Sequence, residues 1–353
     1  MSIVTNGSSV IDNRDIHASL LLSETFPALK PLIDNEPLSK AFDQHNAEAI
    51  RWKSIYEQFG AIGLFCVFLA MVIFDYQVTL QPLYGGSALL NGLSAALAAM
   101  GLASQLFLIF SNAKEKWIIQ RFIAERLRCL KFQAFALLGI CSDAETLKST
   151  VASWTSAAIA ALDQEIMGGR AAVLEFSPAE IAPHISMATN SNSPGFFTDA
   201  YKVYDSLRLA VQAQHFADQY RLSQSEARWP SLLSEFCFGA GVILAFIQIL
   251  FTSWTQLVVG ASRGSSNWHG WLAFSTLLLF IISAIVAVYQ RGSGHEPDAE
   301  RYLAYGREVR RIRMLSSIGD ERSFLQAVKE MEEVALRELH DFCRDSKHSN
   351  YIF

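Results

Sequence analysis

The chain has 353 residues, with 29 Lys and Arg against 34 Asp and Glu, 51% hydrophobic residues and only 18% charged ones. Soluble domains carry about 25% charged residues, so the charge is low while the apolar share is ordinary. These figures exclude a disordered chain, a collagen-like chain and a small disulfide-stapled domain, and a net charge of -5 argues against wholesale nucleic-acid binding.

Residues 1–42 read as an N-terminal cytoplasmic segment. From Gln58 to Phe74 no residue is charged, and the run ends in the dense stretch Leu64–Phe74. Tyr76–Ala113 is uncharged as well, with its core from Leu89 to Phe110, and Phe236–Ser262 and Gly264–Gln290 follow. A helix needs roughly 20 apolar residues to cross about 30 Å of hydrocarbon. The runs therefore predict transmembrane helices at about 58–75, 88–111, 232–254 and 269–290. The first is at the short end, where a buried core helix is the alternative; the long run beside it favours a membrane hairpin. Trp52, Trp117, Trp229, Trp254, Trp268 and Trp271 fall near span ends, where indole rings favour the headgroup layer, and Trp154 alone lies far from one.

The loop Asp75–Ala88 has no Lys or Arg, and Thr255–Asn267 has only Arg263. Arg51, Lys53 and Arg228 precede spans, and basic segments follow the second and fourth. Positive charge stays inside, so both termini and the central segment are expected in the cytoplasm. The first 50 residues lack the basic start and apolar stretch of a cleavable signal peptide. Cys66, Cys129, Cys141, Cys237 and Cys343 show no CxxC spacing, which fits a reducing cytoplasm without a metal or disulfide role.

The sequence repeats itself. Asp43-Gln44-His45 … Glu48-Ala49-Ile50-Arg51-Trp52 returns as Asp218-Gln219-Tyr220 … Glu226-Ala227-Arg228-Trp229, and each Arg-Trp precedes a short polar turn ending in Phe59 or Phe236. Arg121-Phe122-Ile123-Ala124 aligns with Arg301-Tyr302-Leu303-Ala304, and Asp143 … Leu147 with Asp320 … Leu325, at offsets between 175 and 180. The expected organisation is repeat 1 over 43–175, a loop at 176–196 rich in Ser, Asn and Pro, repeat 2 over 197–345 and a tail at 346–353. Each copy enters and leaves the membrane on one side, so the repeats are parallel and not inverted. The predicted fold is an all-α membrane protein with four transmembrane helices, as two parallel-related helical hairpins, and helical cytoplasmic domains.

The Arg-Trp-capped helix, the two-span hairpin and then Arg121, Glu125, Arg126, Leu127 and Arg128 resemble the SLATT/DUF4231 group, bacterial two-transmembrane domains of nucleotide-signalling defence operons. The second copy departs from the pattern at Arg301-x3-Tyr305-Gly306-Arg307-Glu308, and Pro230 replaces the Lys after Arg-Trp. The resemblance implies a bacterial inner-membrane effector that permeabilises the membrane, partnered with a nucleotidyltransferase or a similar phage sensor.

Lys114–Lys131 and Arg291–Arg313 are basic. Topology and attraction to anionic lipid explain such charge. The sharper reading is a phosphate site for a nucleotide or short oligonucleotide, held by the guanidinium forks of Arg121, Arg126, Arg128, Arg307, Arg310, Arg311 and Arg313. No carboxylate or His lies at the middle of a predicted span, which counts against a coupled transporter. Asn91, Gln105 and Gln248 read as pore-lining groups or as interhelical glue, with Lys114, Lys116 and Arg291 ringing an inner mouth. Ala95, Ala99 and Ala103 form a small-residue stripe, read first as packing within the hairpin. Phe324, Val328, Met331, Ala335, Leu339 and Phe342 form the apolar face of a helix that holds Glu330, Glu332, Glu333 and Glu338 on its other face; its uses are packing on its own domain or assembly. No catalytic or cofactor motif is present: G-x4-G-K-[ST], H-E-x-x-H and G-x-S-x-G are all missing.

These readings predict a homo-oligomeric pore or membrane-disrupting effector, a tetramer by expectation, controlled by a nucleotide or oligonucleotide signal and aided by a sensor protein. The alternative is a non-conducting membrane scaffold that recruits a cytosolic partner through Phe324–Phe342.

Overall fold

The structure is a computed structural model that describes residues 13, 15–17, 20–81, 88–141, 143–167, 194–259, 267–293, 295–316 and 320–348. Of 20–21, 194–196, 225–227, 254–259, 267, 291–293, 295–298 and 346–348 it describes the backbone alone. Residues 176–193 of the loop predicted at 176–196 and 349–353 of the tail predicted at 346–353 lie outside the described residues, as does the side chain of Arg291, while 194–196 and 346–348 are helical.

The described chain is helical and contains no strand. Short helices α1 (Leu20–Thr25) and α2 (Lys30–Ile33) lead into α3 (Glu36–Thr79), then α4 (Ala88–Ser111), α5 (Ala113–Gln133), a 3-10 segment (Ala134–Gly139) and α6 (Ala144–Ile166). After α7 (Pro194–Tyr204) comes one π turn (Asp205–Leu209), then α8 (Ala210–Val259), α9 (Asn267–Ser293), α10 (His295–Ser316) and α11 (Glu321–His348). Four of these helices, α3, α4, α8 and α9, are long and apolar enough to cross a membrane.

The polar turns predicted before Phe59 and Phe236 are not turns: α3 runs unbroken for 44 residues and α8 for 50. Between Ser39 and Phe59 there is no Gly or Pro to interrupt the ladder, and ion pairs Arg51–Glu48 and Lys53–Glu57 lie one turn apart on the surface. Pro37 sits in the first turn of α3, where its missing N–H costs nothing, whereas Pro230 is inside α8 and removes one ladder bond from a helix long enough to tolerate it. Asp75, read as the start of a loop, lies near the end of α3 and is buried, so the apolar helix carries a carboxylate where two uncharged runs meet. A single residue divides α4 from α5. It is Asn112, with φ at 50°, a left-handed conformation that Asn tolerates better than most residues.

The chain divides into two compact units, each drawn from both halves of the sequence. The polar unit comprises 1–52, 115–222 and 297–348; the apolar unit comprises 53–114, 223–296 and 349–353.

In the polar unit, aromatic rings interlock at the centre. Tyr204 stands edge-on to Phe132, Phe135 and Phe324 at 6.0, 5.4 and 5.9 Å. Phe324, Val328, Met331 and Leu339 of α11 are buried here, so the apolar stripe of that helix packs on its own unit. Asp143 and Asp320 cap α6 and α11 in the same way, accepting from the backbone N–H three residues on at 2.8 and 2.9 Å.

In the apolar unit, hydroxyls and glycines bring helices together. Ser104 Oγ of α4 donates to the Phe59 carbonyl of α3 at 2.7 Å, and Ser94 Oγ donates to that of Ala70 at 3.2 Å. A Cβ on Gly101 would come within 2.7 Å of Val67 Cγ2. Between α8 and α9, Ser283 Oγ donates to the Ser234 carbonyl and Ser234 Oγ to that of Ser283, at 3.0 and 3.2 Å. The stripe Ala95, Ala99 and Ala103 is exposed, not packed on α3. Gly101, Ser104 and Leu108 fill that role, because they occupy the adjacent face at helical spacing. Large apolar side chains point outward throughout: Phe110 is 78% exposed and Ile243 62%.

Candidate functional site

The densest chemistry lies inside the polar unit. There the helical chain changes pitch at Asp205–Leu209, and such π turns recur at functional sites. Arg208 belongs to this turn, between Leu207 and Leu209, and is 1% exposed. Its Nε and Nη2 donate to the two carboxylate oxygens of Glu332 on α11, both at 3.0 Å, and the Tyr204 hydroxyl donates to the same carboxylate at 3.2 Å. Glu332 is fully buried. The guanidinium lies over the Phe132 ring at 4.6 Å, and its Nη2 is 3.8 Å from Cys129 Sγ.

A second arginine stands close by. Arg128 of α5 lies over Phe42 at 5.0 Å, pairs through Nη1 with Glu125 at 3.4 Å and donates through Nη2 to Asn13 Oδ1 at 2.8 Å. Between the two arginines sits Asp15, fully buried. Its Oδ2 is 3.5 Å from Arg128 Nε and 3.7 Å from Arg208 Nη1, and neither carboxylate oxygen accepts a hydrogen bond from the described residues. Lys131, one turn along α5, donates through Nζ to the Ile16 carbonyl. Asn13, Asp15 and Ile16 thus meet three buried cations.

Burial sets the titration of this cluster. It pushes the Lys131 ammonium down to about 8, against the pull of Asp15 and Asp34. The Cys129 thiol is pushed up to about 12 by burial and by Glu332. Burial also raises the Glu332 carboxyl, with Arg208 opposing. For Arg208, burial works against the charge and is outweighed chiefly by Glu332, so its pKa rises. The arrangement can lock helices together by charge, and it can hold an anion.

The predicted phosphate-binding arginines divide between this cluster and the surface. Arg128 is in it. Arg121 pairs with Glu125 at 2.6 Å, the carboxylate Arg128 also meets, and Arg126 is buried against Glu165 of α6 at 3.3 Å. On α10, Arg307 is exposed, Arg310 donates to the Gly306 carbonyl, and Arg311 pairs with Glu330 at 3.1 Å. Arg313 grips both oxygens of Asp205 at 2.6 and 2.8 Å, so it holds the π turn from outside.

The residues read as pore-lining are scattered. Asn91 is exposed on α4. Gln105 turns toward α3, where its Nε2 lies 2.9 Å from the place a Gly63 Cβ would take, and its buried amide atoms find no hydrogen-bond partner among the described residues. Gln248 is half-buried on α8, Lys114 lies over the Tyr56 ring at 6.0 Å, and Lys116 over Trp52 at 4.4 Å.

Asp15, Lys131, Tyr204, Arg208 and Glu332 escaped the sequence reading. Glu332 was placed on the polar face of its helix, yet Leu325, Val328, Leu336 and Leu339 share a second buried stripe with it at spacings of three and four. A charge inside an apolar stripe, with Arg208 flanked by leucines, is the signal that marks a buried pair. No family model matches the chain, nor does any curated protein or solved structure.

Proposed function

We propose that this chain is a homo-oligomeric effector of the bacterial inner membrane, with both termini cytoplasmic, that forms an ion-conducting pore or disrupts the membrane in antiphage defence. A nucleotide or oligonucleotide made by a nucleotidyltransferase controls it through the polar unit, with a sensor protein as further partner. The observation that carries this reading is the outward apolar surface of four membrane-length helices, with the small-residue stripe of α4 exposed on it. Lipid covers such a surface, and small residues let neighbouring copies approach closely. A closed ring, a tetramer by expectation, is the ordinary route to a central pore. The tandem organisation of the sequence and its resemblance to the SLATT/DUF4231 group support the signal-controlled part.

Potassium efflux from liposomes holding the purified chain, measured with and without di- and trinucleotides, tests the proposal. Nucleotide-dependent efflux supports it; no efflux under any condition, with the protein folded and inserted, overturns it. The scaffold alternative relied on the stripe Phe324–Phe342. Phe324, Val328, Met331 and Leu339 of that stripe are buried in the polar unit.

A further inference from the structure

We propose that the cavity between α3 and the α8–α9 pair binds one acyl chain of a membrane phospholipid whose phosphate meets Arg228. The inference rests on the reading that the four apolar helices span a bilayer, and it stands apart from the pore.

The walls all belong to the apolar unit. Leu64 and Phe68 of α3, Trp229 and Phe236 of α8, and Val286 and Tyr289 of α9 enclose about 670 Å³. Cavities of about 300–1,000 Å³ hold a molecule of drug size. The reciprocal Ser234–Ser283 bonds tie α8 to α9, and Ser94 and Ser104 tie α4 to α3, so the room is left between the two pairs. No charged or amide side chain lines it; among the described lining residues the polar side-chain atoms are the Trp229 N–H and the Tyr289 hydroxyl.

The cavity opens onto the outward apolar surface, where its lining residues Phe65 and Phe236 are exposed. In a bilayer that surface meets hydrocarbon, and an unfilled space there would forfeit the packing contacts of its walls. Trp229 and Tyr289 stand at one end, and such rings favour the headgroup layer. From Ala61 to Phe68, and from Trp229 to Phe236, the walls run for about 10 Å at 1.5 Å per residue. That is a third of roughly 30 Å of hydrocarbon, so the cavity stays within one leaflet and suits a chain lying along the helices. Arg228 is exposed one turn before Leu232 on the same face of α8, while Glu57, one turn before Ala61, is paired with Lys53 at 3.6 Å. A second copy inserted in the same sense would bring its own Arg228 to that level, cation against cation. A phosphate complements it.

The test uses the full chain in detergent with added phosphatidylglycerol, read by native mass spectrometry. Wild type should retain one lipid per chain. Ala61→Phe, which puts a ring into the cavity, should bind it about tenfold more weakly, since losing room for about two methylenes suffices. Arg228→Gln should weaken it about fivefold, and Ala99→Phe, on the exposed face of α4, should bind as wild type does. In the unaltered protein, phosphatidylglycerol with a photoactivatable chain should label 61–68, 229–236 and 285–289 more densely than α4. Where Ala61→Phe fails to fold, that labelling decides alone. No retained lipid in folded wild type, undiminished binding in folded Ala61→Phe or Arg228→Gln, or labelling no denser there than on α4 overturns the inference. So does an oligomer that Ala61→Phe breaks up without loss of lipid, which would put a second copy in the cavity. Retained lipid without any liposome efflux would keep this site and sink the pore; nucleotide-driven efflux with no retained lipid would do the reverse.

Discussion

Replacing Glu332 by Gln removes one charge from the centre of the polar unit and leaves buried Arg208 with only the Asp15 carboxylate, 3.7 Å from its Nη1, as counter-ion. The carboxylate accepts three hydrogen bonds, two from Arg208 at 3.0 Å and one from Tyr204 at 3.2 Å. An amide of the same size can accept from only one side. Both partners are almost wholly excluded from water. Breaking a buried pair from one side costs about 3–5 kcal/mol, since the remaining charge is stranded. The paired change Arg208→Met with Glu332→Leu removes both charges and keeps the volume, so its cost should be near zero or favourable by about 1–4 kcal/mol. Denaturant unfolding in micelles, followed by tryptophan fluorescence, reads both. Trp117 and Trp154 pack against the core of this unit and report its loss. A cost under about 1 kcal/mol for Glu332→Gln, or a double variant weaker than the single one, would refute the claim that this pair is desolvated and mutually dependent.

Two further outcomes follow from the same structure. Gly101→Ala should weaken the packing of α4 on α3 by about 1–3 kcal/mol, because its Cβ meets Val67 at 2.7 Å and the Gly63 carbonyl at 3.2 Å, whereas Gly92→Ala meets nothing. Thermal melting in micelles separates the two. Lys131 titrates near 8 in the fold against 10.5 in the free chain, so between those values the unfolded chain binds the extra proton and stability rises with pH. Relative to Lys131→Met, wild type should gain about 1 kcal/mol between pH 7 and pH 9, measured by denaturant unfolding at each pH. A flat difference would mean that Lys131 is not desolvated.

The four apolar helices were legible because a missing charge is a strong signal over 20 residues. Their true lengths were not. The stretch from Lys53 to Gln58 is polar, and polarity suggested a turn, but helix formation depends on Gly, Pro and local pairs more than on polarity. Pro230 does not end α8, since one lost ladder bond is small beside 50 residues of helix. The apolar stripe of α11 was readable from its spacing. The role of Glu332 was not, because a helix at the centre of a bundle buries more than one face and a reading that allows one apolar face assigns every charge to the other. Arg128 was found as part of a basic segment, while its partner Asp15 and Arg208, which meets the same carboxylate, were missed because they lie 113 and 80 residues away. Long-range pairing of single charges leaves no local pattern.

The central claim, that the apolar helices conduct ions under control of the polar unit, is met most directly by current recording across a planar bilayer that holds the purified chain. The account predicts discrete current steps whose frequency changes when nucleotides are added to one chamber or the other. A silent bilayer with verified insertion, or steps indifferent to nucleotide on both sides, would contradict it.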